Sequence, residues 1–198
     1  MSRVVLRIIT VAGVIALLGV GSYAIAGSGS NTFTGDPLNG YEENPDISTV
    51  ATGSFTARLS EDGNSIHYKL SYSGLEGTVQ QSHVHFGKPA VNGGISFFLC
   101  GTAGFQPPAG TPAPPTCPQA GTVEDDIVAA DVIGPTGQGI EVGNLGEILA
   151  AMRAGHAYAN VHSSKWPGGE IRAQLDASDS GDGGHHGGGA DHGGGGDH

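Results

Sequence analysis

Between residues 55 and 175, apolar and polar positions alternate over short runs separated by turn residues. Phe55, Ala57 and Leu59 alternate with Thr56 and Arg58. The turn Glu61-Asp62-Gly63-Asn64 follows, and then Ile66, Tyr68, Leu70 and Tyr72 alternate with His67, Lys69 and Ser71. A period of two puts each set on one face of a strand, so this stretch predicts a hairpin with one buried face. His67 falls on the polar face and reads as a solvated surface residue. Residues 79–86 predict a third strand. Residues 95–100 predict a fourth, whose unbroken apolar run implies burial on both faces. Residues 122–133 hold one or two more, and Glu124-Asp125-Asp126 among them reads as a solvated turn, with calcium binding as the alternative. Residues 157–162 and 169–175 predict a closing hairpin. Its connection carries Trp166, which either anchors the loop or meets a partner.

Helical periodicity surfaces once. Leu145, Ile148, Leu149 and Met152 form an apolar stripe. Asn144 precedes it as an N-cap, Glu147 stands three residues later as in a capping box, and Gly155 sits where a C′ glycine belongs. The pattern predicts an all-β fold, an antiparallel Greek-key-type β-sandwich or barrel with one short helix.

The ends break this pattern. Residues 1–26 read as a signal peptide: Arg3 and Arg7 give a basic start, residues 8–20 are apolar, and Ala24-Ile25-Ala26 is a small-x-small cleavage site. The alternative is an uncleaved anchor, for which the apolar run is short against the roughly 20 residues a bilayer requires. Residues 178–198 contain only Ser, Asp, Gly, His and one Ala. With no large apolar side chain, they predict a disordered tail. His185, His186, His192 and His198, interleaved with Asp182, Asp191 and Asp197, could collect divalent metal ions there. Residues 27–177 remain as one β-domain.

Composition then narrows the setting. The chain carries a net charge of −11 and becomes more acidic once Arg3 and Arg7 leave with the leader. Such a chain is a poor partner for nucleic acid or anionic membranes, and cations suit it better. No membrane span is expected after cleavage. The chain is expected to be secreted, either periplasmic or at the cell surface. In an exported chain the even pair Cys100 and Cys117 points to a disulfide closing a Pro- and Gly-rich loop. A copper or zinc thiolate pair is the alternative, but no histidine lies near either cysteine in sequence.

His83 and His85 are the residues most suited to chemistry. Two apart on a strand, both imidazoles point to one face, while Val84 and Phe86 point to the other. The pair offers two metal ligands. His162, at the end of its own strand, is the best third, and His156 shares its parity at the strand start. Glu43 and Glu170 are the available carboxylates. Glu170 and Arg172 flank Ile171 on the outward face. They read either as a surface ion pair, or with Glu170 supporting a ligand histidine. Asn160 is expected to bond backbone between strands. The alternative for His83 and His85 is that they bond loop carbonyls and hold no metal. No nucleophile–base–acid arrangement is visible, which favours a non-enzyme.

Four segments resemble the CHRD (chordin) domain family. The first is Leu38-Asn39-Gly40-Tyr41-Glu42-Glu43-Asn44-Pro45 with Ala51-Thr52-Gly53-Ser54-Phe55. The second is Ser82-His83-Val84-His85-Phe86-Gly87. The third is residues 95–100 with Thr116-Cys117-Pro118. The fourth is Gly155-His156-Ala157-Tyr158-Ala159-Asn160-Val161-His162-Ser163 with Pro167-Gly168-Gly169-Glu170-Ile171-Arg172-Ala173-Gln174-Leu175. The resemblance covers residues 33–176. Asp46, Ser163 and Ala173 depart from the family's Pro, Thr and Gly. It implies an extracellular all-β domain, with an extracellular protein partner possible, and leaves the biochemical role open. The site also has a fainter similarity to the copper site of copper/zinc superoxide dismutase. The chain lacks a histidine cluster between His85 and His156, so a dismutase of that kind would miss its second metal and one copper ligand. Three imidazoles suit copper or zinc. A metal-binding module, a structural or adhesive domain, and a dismutase-like enzyme are thus the three functional expectations.

Overall fold

A computed structural model describes residues 29–178. The expected signal peptide and the tail beyond Ser178 lie outside these residues. Nine strands and one helix are described: β1 (Thr32–Leu38), β2 (Thr52–Leu59), β3 (Ser65–Ser73), β4 (Val79–Phe86), β5 (Gly94–Gly101), β6 (Gly121–Val128), α1 (Leu145–Arg153), β7 (Ala157–Ser163), β8 (Ile171–Gln174) and β9 (Asp176–Ser178).

The strands form two antiparallel sheets, one ordered β6-β3-β2-β1-β9 and the other β5-β4-β7-β8. Each sheet keeps two free edges, so the fold is a sandwich and not a closed barrel. The period of two in the sequence becomes its core. Phe55, Ala57, Ile66, Tyr68, Leu70 and Tyr72 from one sheet meet Val84, Phe97, Leu99, Ala159, Val161 and Ile171 from the other. The buried Tyr68 hydroxyl ties the two layers by donating to the Leu99 carbonyl. α1 lays Leu145, Ile148, Leu149 and Met152 against this core. Its cap is the expected one, with Asn144 Oδ1 accepting from the Glu147 N–H at 3.2 Å.

Cys100 and Cys117 are bonded, which holds the Pro-rich loop to the end of β5. His67 is exposed and pairs with Asp126 at 3.0 Å. Trp166 anchors its loop, its Nε1–H donating to Glu76 Oε2 at 3.3 Å.

Two expectations are corrected. Glu124-Asp125-Asp126 is not a turn but lies within β6, paired along its length with β3. Only Val123 and Ile127 of that strand face the core, and the acids are exposed on an edge where charge discourages further strand pairing. Glu170 and Arg172 are not on an exposed face: both are buried. The reason is that loops cover the outer side of the four-stranded sheet.

Candidate metal centre

That covered outer face holds the histidines. In β4, Val84 enters the core while His83 and His85 face outward. β7 lies beside β4 in a register that is continuous from Gln81 to Phe86 and sets Asn160 against His83 and Tyr158 against His85. His162 follows two residues beyond Asn160 on the same face. On the other side of β4 the register with β5 shifts twice, once at Ser82/His83 and once at Val84/His85. Irregularities of this kind re-aim side chains.

His83, His85 and His162 converge, with one ring nitrogen of each lying within 4.8 Å of the others. His83 Nδ1 and His85 Nε2 are 3.3 Å apart. Two nitrogens about 2.0–2.1 Å from one ion at a tetrahedral angle would stand about 3.3–3.4 Å apart, so this pair already has the spacing of two ligands. Closing the widest separation onto the same ion would take ring shifts on the order of 1 Å.

Two of the rings are fixed from behind. His85 Nδ1 donates to the Gly93 carbonyl at 3.0 Å, and His162 Nδ1 donates to the Pro167 carbonyl at 2.9 Å. Each N–H so engaged leaves Nε2 as the lone-pair nitrogen. His162 Nε2 lies 3.0 Å from the Asn160 side-chain amide. With Nδ1 donating, that nitrogen is an acceptor, so the amide orientation that satisfies both turns its NH2 group toward the ring. Asn160 therefore bonds a histidine through its side chain, not the backbone. His83 Nε2 is buried and meets no hydrogen-bond partner.

Loop backbones supply these anchors. A Cβ at Gly93 would collide with the Phe86 carbonyl, so only glycine lets residue 93 approach β4 closely enough to accept from His85. Tyr158 completes the clamp. Its hydroxyl accepts from the Gly93 N–H at 3.1 Å, and its ring lies parallel to His85 at 4.7 Å. Arg172, from β8, places its guanidinium 3.6 Å from the centre of the Tyr158 ring. Phe98 stands edge-on to His83 at 4.9 Å, backed by Phe105 of the disulfide loop.

Burial keeps all three rings neutral. It pushes His83 down to about 2, helped by His162 and His85. It lowers His85 to about 4, with the Gly93 hydrogen bond opposing, and lowers His162 against the opposing bond to Pro167. Neutral imidazole is the form that binds metal.

The other candidates fall outside the triad. His156 is exposed ahead of β7. Glu170 Oε1 accepts from Thr49 Oγ1 at 2.8 Å and from the Glu76 N–H at 2.7 Å, so it fastens two loops and bonds no histidine. Glu43 is buried beside Gly169. Burial raises its carboxyl to about 7, against the Arg172 charge. Sequence reasoning missed Tyr158, Gly93 and Pro167 as parts of the site, and placed Arg172 on an exposed face. The register of β4, β7 and β8 reveals Tyr158 and Arg172, which shared the outward parity of Asn160, and the loops that cover the sheet bring in Gly93 and Pro167.

No curated protein sequence and no solved structure matches the chain. The family model of the CHRD domain matches residues 35–175, which span β1 to β8 and contain all three histidines. The chain belongs to the CHRD domain family.

Proposed function

We propose that this chain is exported and that residues 27–177 form an extracytoplasmic module that binds one copper or zinc ion through His83, His85 and His162. The observation that carries the reading is the convergence of three buried, neutral imidazoles on one sheet face. Two are oriented by carbonyls, and the third places its Nδ1 3.3 Å from His85 Nε2. Glu43 and Asn160 lie alongside as supporting groups. Export is supported by the leader pattern and by the Cys100–Cys117 bond, since disulfides persist in oxidising compartments. Three imidazoles suit copper or zinc. The His-rich segment 178–198 would collect ions for the site, and an extracellular protein is the natural macromolecular partner of such a module.

A structural or adhesive role without metal is the second reading. The carbonyl bonds of His85 and His162 favour it, because they pin two loops to the sheet. Under either reading His83 Nε2 has no partner.

Metal-dependent stability separates the two. In the full chain with His185, His186, His192 and His198 changed to Ser, copper or zinc at a hundred times its Kd should raise the unfolding free energy by about 2.7 kcal/mol. The same addition should leave the unfolding midpoint of a His83→Ala/His85→Ala version unmoved. Equal shifts in both would assign the effect elsewhere and favour the metal-free reading.

A further inference from the structure

We infer that the ion this site selects is cuprous copper, Cu(I), in preference to the divalent ions. The inference rests on the reading of His83, His85 and His162 as ligands. All three donors are neutral nitrogens, and no carboxylate or thiolate belongs to the group. A bound ion therefore brings its whole charge into the site without compensation from its ligands.

The surroundings are poorly suited to that charge. His83 is 1 % exposed and faces the edge-on Phe98 ring. His85 is covered by the parallel Tyr158 ring. The work of taking an ion out of water scales with the square of its charge, so a divalent ion meets roughly four times the cost of a monovalent ion of the same size. The Arg172 guanidinium adds to this. It sits against Tyr158, which in turn stacks on His85, so a fixed positive charge stands behind one ligand.

Coordination preference points the same way. Zn(II) takes four ligands in structural sites, and Cu(II) takes a tetragonal arrangement of nitrogen and oxygen donors. Both would need further donors, brought in as water or hydroxide to a face where His85 and His162 are only 8 % and 7 % exposed. A closed-shell Cu(I) ion is satisfied by three nitrogens alone.

Competition titrations test this on the full chain with His185, His186, His192 and His198 changed to Ser. Cu(I) is titrated anaerobically against a chromophoric cuprous chelator, and Cu(II) and Zn(II) against chelators of known affinity. The expected result is one Cu(I) per chain, with a Kd at least tenfold below that of Cu(II). For this one-electron couple, a tenfold ratio is a potential about 59 mV above that of aqueous copper. Equimolar Cu(I) should also displace bound Zn(II), and the His83→Ala/His85→Ala change should abolish cuprous binding. If the triad binds Cu(II) or Zn(II) as tightly as Cu(I), the selectivity is overturned while the metal site stands. If the triad binds none of the three ions, the site itself is overturned and the selectivity with it.

Discussion

His83 Nε2 is buried without a hydrogen-bond partner, while the neighbouring rings of His85 and His162 are each held by a backbone carbonyl. At the residue scale, this contrast defines the site. The common face of His83 and His85 follows from period two alone, and that much was readable in the chain. The burial of Glu170 and Arg172 was not, because parity says which way a side chain points and not whether a distant loop will cover it. Gly169 shows how closely that cover fits. Its φ is +129°, and a Cβ there would lie 2.5–2.8 Å from the Glu43 carboxyl group. Gly169→Ala should therefore lower stability by about 1–3 kcal/mol, read from the urea midpoint. In a Glu43→Ala/Gly169→Ala double variant the clash is relieved and the backbone strain is not, so only part of the loss should return.

At the scale of elements, the strands and helix with strong periodicity were legible: β2, β3, β4, β7 and the capped α1. β1 was not recognised as a strand, because its seven residues, TFTGDPL, include Gly35, Asp36 and Pro37, which read as turn residues. It forms because β2 and β9 pair with it on either side. β6 was obscured by its three acids, which sit on an exposed edge where burial does not dictate composition. The disulfide was legible from the even cysteine count, and its loop has a sequence separation of 17. In the chain-entropy model, a loop of that length contributes about 3 kcal/mol. The Cys100→Ser/Cys117→Ser protein should lose about that much in denaturant unfolding. A loss well below 1 kcal/mol would mean that the Pro-rich loop is already restricted in the unfolded chain.

At the scale of the whole molecule, the sandwich buries both faces of its four-stranded sheet, one with apolar side chains and one with histidines under loops. Stability should then depend on pH in a definite direction. His83, His85 and His162 are neutral in the fold and would be protonated below about 6.5 when unfolded, so stability is lost as pH falls from about 6.5. The loss continues to about 4 for His85 and toward about 2 for His83. Glu43 acts oppositely. Its carboxyl is raised to about 7, so its contribution is present below about 4.5 and fades as pH rises to 7. Three histidines outweigh one carboxyl, and the urea midpoint should climb between pH 5 and 7. A midpoint that falls across that range would show that the rings are charged in the fold.

The central claim concerns metal, and the most direct measurement is elemental analysis of the purified full chain. His185, His186, His192 and His198 are changed to Ser so that the tail contributes nothing. One copper or zinc per chain is predicted, falling to none in the His83→Ala/His85→Ala version at unchanged circular dichroism. A metal content that is zero in the parent, or the same in both proteins, would contradict the account.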